Sequence, residues 1–74
     1  MAKRATYWIG DVPTHCQLSG REIKGIFVDG RVPGISSWAI MSPGTFRTAG
    51  GQTGTGLGQV YKQQGDGRWL KIEG

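Results

Sequence analysis

The chain has 74 residues and a formal net charge of +4, with a pI of about 9.7. Fourteen glycines, three prolines and a hydrophobic fraction of 36% exclude a coiled coil, and no apolar run approaches the roughly 20 residues of a membrane span. A single cysteine, Cys16, excludes an internal disulfide. The length predicts one domain, residues 1–74, whose small core needs help from a metal, self-assembly or a partner. Because the N-terminal segment lacks a signal peptide's apolar stretch, we expect synthesis and retention in the cytoplasm.

The first half of the chain alternates strand-forming segments with turns. After an N-terminal arm at residues 1–4, residues 5–9 are β-branched and aromatic and predict a strand. Residues 22–28 predict a second strand, and Asp29-Gly30 predicts a type I′ hairpin turn with a short return strand at residues 31–32. Residues 35–41 predict either a strand or one helical turn, which Ser42-Pro43-Gly44-Thr45 ends.

The second half combines a glycine-rich segment with a hairpin. Residues 50–58 carry five glycines and predict a loop, whereas residues 59–63 and 68–72 alternate polar and apolar side chains around Asp66-Gly67 and predict a C-terminal hairpin. Apart from a turn near Phe46-Arg47, helical periodicity is absent from every window of eleven residues or more. The predicted fold is small, all-β and loop-rich, and its predicted core residues are Trp8, Phe27, Trp38, Tyr61 and Trp69.

Two short motifs have the spacing of zinc knuckles. Cys16-x-x-Ser19 is followed further along the chain by Ser42-x-x-Thr45. In a zinc ribbon each motif is Cys-x-x-Cys, and four thiolates hold one tetrahedral metal ion. Three of these four positions carry hydroxyls, which stay protonated near neutral pH and are poor zinc ligands. The spacing therefore predicts zinc-ribbon-like β-hairpins without metal or cofactor; the alternative is that both segments are ordinary turns.

Several longer motifs accompany these knuckles. The chain contains Phe27-Val28-Asp29-Gly30, then Trp-Ala-x-Met at residues 38–41, Gly-x-Gly-x-Gly-Gln-x-Tyr at residues 54–61, and Gly-x-Trp-x-Lys-x-x-Gly at residues 67–74. Over residues 15–74 it resembles small bacteriophage-encoded zinc-ribbon-like proteins, from which it departs at Ser19, Ser42 and Thr45. The resemblance implies a phage origin and a fold that has lost its ion. A partner surface or self-assembly would then replace the stabilisation that zinc supplies.

From this resemblance we expect a non-enzymatic phage structural protein. Its expected role is a minor capsid or decoration component of the virion that binds virion proteins or assembles with itself, with no membrane and no small-molecule substrate. Contacts with a partner are predicted in the N-terminal arm, in the glycine-rich loop and at the C-terminal hairpin turn: Lys3, Arg4, Gly54, Gly56, Gly58, Asp66 and Gly67.

The basic charge leaves a second function open. A small nucleic-acid-binding or host-directed regulatory protein would use scattered cations and would bind less tightly as salt increases; the cations are Arg21, Lys24, Arg31 and Arg68. The glycine-rich loop lacks the Gly-Lys-Ser/Thr sequence of a phosphate-binding loop. His15 and Cys16, as neighbours on an extended chain, cannot face each other as base and nucleophile. No catalytic residue is therefore predicted.

Overall fold

A computed structural model of the chain describes residues 5–54 and 56–74. These residues form one four-stranded antiparallel sheet in the order β2-β1-β3-β4, with a single short helix. The elements in chain order are β1 (Ile26–Gly30), β2 (Ala39–Met41), α1 (Pro43–Thr48), β3 (Gly58–Gln63) and β4 (Trp69–Glu73). The predicted small, all-β, loop-rich class is thereby confirmed. The predicted arm, with Lys3 and Arg4, lies outside the described residues.

The predicted C-terminal hairpin is present as β3 and β4. The strands pair through Lys62 opposite Leu70 and Gln63 opposite Trp69. In the turn, Gly67 adopts a φ of +90°, a left-handed conformation that favours glycine. Because two alternating strands adjacent in sequence need only a short turn to meet, local sequence suffices to specify this element.

The predicted hairpin turn at Asp29-Gly30 is wrong. Both residues lie inside β1, where Asp29 pairs with Ile40 on one side and with Gln59 on the other. The predicted return strand at residues 31–32 is absent, and Val32 is instead buried in the core. Pairing along both edges of β1 satisfies more backbone hydrogen bonds than a local hairpin would, so the distant partners override the turn propensity.

The other predicted strands are shorter than expected. Residues 5–9 contribute only an isolated bridge between Tyr7 and Leu70, supported by a 2.9 Å hydrogen bond from the Trp8 N–H to the Trp69 carbonyl. This segment runs along the outer edge of β4. The strand predicted at residues 22–28 begins at Ile26, and that at residues 35–41 contains only Ala39–Met41.

The segment Ser42-Pro43-Gly44-Thr45, predicted as a terminating turn, begins α1. Ser42 is the N-cap, and its side chain accepts a hydrogen bond from the Thr45 N–H at 3.4 Å. Proline is favoured at the first helical position, where Pro43 stands, because that position needs no N–H donor. α1 contains Phe46 and Arg47, where a helical turn was predicted. It spans only six residues, too few to produce a helical hydrophobic period, so its start at Pro43 was not predicted. No helix in the described part of the chain has the length and apolar character to span a membrane.

Apolar side chains pack on both faces of the sheet. On one face Phe27 stacks on Tyr61 with ring centroids 5.1 Å apart, and Trp8 and Trp69 pack at their edges. Phe27 and Tyr61 are buried as predicted, and the two tryptophans are half-buried. The opposite face carries a second core beneath α1, formed by Cys16, Val28, Val32, Met41, Phe46 and Val60.

Trp38 was predicted as a core residue, and that prediction is wrong. Its side chain is 42% exposed. Trp38 lies just before β2, whose Met41 is fully buried and whose Ala39 packs against the core. Small and flexible side chains therefore fill the inner positions of this short strand, and the indole remains outside.

The Phe46 ring is enclosed by glycine backbone. A Cβ atom built on Gly51 or on Gly58 would lie 2.6 Å from Phe46 Cζ, and one on Gly30 would lie 2.8 Å from Phe46 Cε1. We call Gly30, Gly51 and Gly58 the glycine socket. It attaches α1 to β1, to β3 and to the loop that precedes β3, so two of the glycines in the predicted loop at residues 50–58 have an internal packing role.

Candidate functional site

The first knuckle-like motif folds as a tight hairpin. His15 and Glu22 form an isolated antiparallel β-bridge through their backbones, and the Cys16 N–H donates a hydrogen bond to the Arg21 carbonyl at 2.7 Å. The turn closes with a 2.9 Å hydrogen bond from the Gly20 N–H to the Cys16 carbonyl, and Gly20 has a φ of +75° that suits glycine. Within the turn, the Ser19 N–H donates to Cys16 Sγ at 3.3 Å. Backbone donation of this kind stabilises a cysteine sulfur as a thiolate.

The second motif lies beside the first. Ser42 Oγ and Thr45 Oγ1 are 2.8 Å apart and share a hydrogen bond. Ser19, Ser42 and Thr45 line a single surface concavity of about 470 Å³, which we call the hydroxyl pocket. Its remaining lining residues are Arg21, Gly44, Thr48 and Ala49. Cys16 is only 3% exposed, and its Sγ accepts a hydrogen bond from the Ser19 N–H. The Ser42 backbone lies close enough to the Cys16 thiol to influence its pKa. All four positions that the spacing singled out are thus brought together.

The surroundings of Cys16 favour its thiolate form. Burial raises the pKa of the thiol, but hydrogen bonds from the Ser19 side chain and from the backbones of Ser19, Ser42 and Leu18 outweigh burial and lower the pKa to about 6. His15 is exposed, and its Nδ1 lies 2.8 Å from Thr14 Oγ1. Across residues 5–54 and 56–74, no three His, Cys, Asp or Glu side chains are grouped so as to hold a metal ion.

The predicted partner-contact residues within the described part of the chain fall into two groups at opposite ends of β3. At one end, the Gly54 N–H donates to the Gly58 carbonyl at 2.8 Å, Gly56 is exposed, and Gly58 is buried in the glycine socket. At the other end, Asp66 and Gly67 are exposed in the β3–β4 turn. The two groups therefore do not form one continuous surface.

A second surface feature adjoins the glycine-rich loop. Leu57, 42% exposed, lines a shallow concavity of about 330 Å³ together with Ile35 and Val32. We call this concavity the loop patch; its other lining residues are Arg31, Pro33 and Gly34. Ile35 and Leu57 were not predicted as functional surface residues. The signal available was a large apolar residue inside a glycine- or proline-rich loop, where no strand alternation directs it to the core.

The four cations proposed for nucleic-acid binding have different surroundings. Lys24 Nζ lies 3.8 Å from a Glu22 carboxylate oxygen. Arg68 donates to Asp66 at 2.8 Å and lies over the Tyr7 ring, 4.2 Å from its centroid. Hydrogen bonds from the Arg68 backbone and side chain lower the pKa of Asp66. The remaining two are separate, since Arg21 lines the hydroxyl pocket and Arg31 lines the loop patch.

Another concavity lies between α1 and β4 on the sheet face that carries the second core. It has a volume of about 540 Å³. Its apolar lining includes Ile26, Val28, Phe46, Val60 and Ile72, and Arg47 and Glu73 stand among its polar lining residues. We call it the sheet–helix groove. This groove was not predicted from the sequence, although Ile26, Phe27 and Val28 form an apolar run, which is typical of a strand covered on both faces.

Comparison of the chain with protein-family models, with curated proteins and with solved structures gives no match.

Proposed function

We propose that this chain is a metal-free, zinc-ribbon-like binding protein that serves as a non-enzymatic structural component of a phage particle, namely a minor capsid or decoration protein. The observation that carries the proposal is the meeting of Cys16, Ser19, Ser42 and Thr45 around one turn and one helix start. Two unrelated turns have no reason to meet in this way, whereas the two knuckles of a zinc ribbon must. The motif resemblance over residues 15–74 supports the phage assignment.

The loop patch supports a protein as the partner. Leu57 and Ile35 are exposed apolar side chains, and the core does not use them. Arg31 lines the same concavity and forms no ion pair within the described part of the chain. An apolar side chain flanked by a carboxylate on a virion protein matches this chemistry, because buried apolar area supplies affinity and the rim charge supplies orientation.

The test is association with particles. The chain carrying a C-terminal epitope tag is produced during infection by the phage that encodes it, and particles are separated from soluble protein on a density gradient. We expect the wild-type chain to sediment with the particles and Leu57→Asp to lose at least tenfold of that association. Leu18→Asp, at an exposed leucine on the first knuckle turn, is the matched control and should behave as wild type. Recovery of the chain only in the soluble fraction contradicts the proposal.

Nucleic-acid binding is the alternative, and one observation favours it. Within the described residues Arg21 and Arg31 form no ion pair, so both are available to phosphate. The pairing of Arg68 with Asp66 and of Lys24 with Glu22 reduces what those two cations offer. Titration of a fluorescent DNA or RNA oligonucleotide at several salt concentrations separates the two functions. A steep loss of affinity with salt, made shallower by Arg21→Ala, supports nucleic acid.

A further inference from the structure

Two tryptophans are neighbours on the sheet face opposite α1. The Trp8 N–H donates to the Trp69 carbonyl at 2.9 Å, which joins the two residues across adjacent segments of the chain. Both indoles pack on the ring of Phe27, with centroids 5.3 and 5.0 Å from it. Phe27 is fully buried, whereas the two indoles are only half-buried. Part of each indole therefore remains outside the aromatic core.

Both tryptophans line a concavity of about 520 Å³, a size typical of small-molecule sites. We call it the indole cleft. Its lining also includes polar side chains from several separate segments, namely Asp11, Thr14, Glu22, Gln63 and Arg68. The guanidinium, amide and hydroxyl groups are hydrogen-bond donors, and the carboxylates and the amide oxygen are acceptors. The cleft thus combines aromatic surface with both kinds of hydrogen-bonding group.

The charges of the cleft restrict what it can bind. Glu22 lies 3.8 Å from Lys24, and Arg68 donates to Asp66 at 2.8 Å, so two of its three charged groups already have partners. Asp11 forms no ion pair within the described residues. A nucleic acid would bring phosphates toward two carboxylates, and a simple cation would meet Arg68. A neutral ligand whose groups both donate and accept hydrogen bonds avoids both conflicts.

We propose that the indole cleft binds a neutral saccharide. The C–H face of a sugar ring is apolar and packs on an indole, and each sugar hydroxyl both donates and accepts a hydrogen bond. The Asp11 carboxylate accepts from these hydroxyls, while Arg68 and the Gln63 amide donate to them. This binding role goes beyond the proposed structural role, and the indole cleft shares no lining residue with the loop patch.

The three tryptophans provide the test. The ¹⁵N-labelled chain is titrated by NMR with short neutral oligosaccharides built from glucose, galactose, rhamnose or N-acetylglucosamine, up to about 10 mM so that millimolar affinity is detected. We expect at least one of them to shift the indole N–H signals of Trp8 and Trp69. Trp38 does not line the cleft, so its indole signal is an internal control and should not move.

Variants of exposed polar residues then test the cleft without disturbing the aromatic core. Asp11→Ala removes the carboxylate but keeps the backbone carbonyl that accepts a 3.2 Å hydrogen bond from Trp8 Nε1. We expect it to weaken saccharide binding roughly tenfold, because it removes a charged hydrogen-bond acceptor. Gln63→Ala should also weaken binding. Glu73→Ala removes an exposed carboxylate outside the cleft and should leave the affinity unchanged. Thermal unfolding of each variant confirms that it is folded.

Three results would overturn the proposal. The first is a titration in which none of the oligosaccharides shifts Trp8 and Trp69. The second is a shift that Asp11→Ala weakens no more than Glu73→Ala. The third is a cleft that responds only to an oligonucleotide or to a lysine-rich peptide. Leu57→Asp should bind the saccharide as wild type does, so failure of particle association and failure of saccharide binding are distinguishable.

Discussion

Gly51→Ala tests the glycine socket with one added methyl group. The Cβ of alanine at position 51 would lie 2.6 Å from Phe46 Cζ and about as close to two further ring carbons. Carbon atoms in contact are normally about 3.5–4.0 Å apart. The φ of Gly51 lies outside the left-handed region that favours glycine. Alanine at this position therefore introduces no backbone strain, and any loss of stability reports on the contact with Phe46.

The magnitude follows from the overlap. To restore normal contact, the Phe46 ring must move by about 1 Å, but Gly30 and Gly58 block movement away from Gly51. Overpacking of this kind costs about 1–3 kcal/mol. A domain of this length has a free energy of unfolding of roughly 4–11 kcal/mol, so the substitution should remove a substantial part of it.

Chemical denaturation of Gly51→Ala provides the measurement, and Gly65→Ala is the matched control. A Cβ on Gly65 would meet no atom within 4 Å, so that variant should be as stable as wild type or slightly more so. In a Phe46→Leu background the ring is absent, and we expect the penalty of Gly51→Ala to fall below about 1 kcal/mol. Equal stability of Gly51→Ala and Gly65→Ala would refute the socket.

Three further predictions concern the exposed indole and the knuckle positions. Trp38→Ala should cost less than about 1 kcal/mol in chemical denaturation, because the side chain lies outside the core; a loss above 3 kcal/mol would contradict that placement. With a folded pKa of about 6 against an ordinary 9.0, the Cys16 thiolate stabilises the fold fully above pH 9 and loses this contribution as pH falls through 6. The melting temperature should therefore rise between those values, and Cys16→Ser should remove that rise. The triple variant Ser19→Cys, Ser42→Cys and Thr45→Cys should bind Co²⁺ with the absorption spectrum of a tetrahedral tetrathiolate site, and the metal should raise its melting temperature. The wild-type chain should show neither effect. A triple variant that does not bind Co²⁺ contradicts the zinc-ribbon-like interpretation.

Local sequence predicted those parts of the fold whose partners are adjacent in sequence. The hairpin around Asp66-Gly67 needs only its two flanking strands. Asp29-Gly30 carries the same turn signal, yet β1 has partners on both sides that lie farther along the chain, and their pairing overrides the turn. The prediction that Trp38 is buried was wrong for a related reason. Its large apolar side chain favours burial, but Ala39 and Met41 of the strand that follows fill the inner positions. Long-range pairing, which propensity does not contain, determined both outcomes.

The candidate sites divide along the same line. Cys16 and Ser42 could be singled out from the spacing of their motifs, because each motif is a short turn that a few consecutive residues define. The sheet–helix groove joins β1, α1, β3 and β4, so its walls are defined only once the sheet order is known. Ile35 and Leu57 of the loop patch are 22 positions apart in sequence and meet through the turn that follows β1.

Under the proposed zinc-ribbon-like origin, the fold must hold its two knuckles together without a metal. Three features contribute. The Ser19 N–H supports the Cys16 sulfur, the hydroxyls of Ser42 and Thr45 bond each other, and Cys16 itself packs into the core. A neutral hydrogen bond such as the one between Ser42 and Thr45 contributes only about 1 kcal/mol net, and one to a charged sulfur about 1.5–3 kcal/mol. Together they fall well short of what structural zinc provides. Burial of Phe46 in the glycine socket is the larger contribution, because it fixes α1, and with it the second knuckle, to the centre of the sheet.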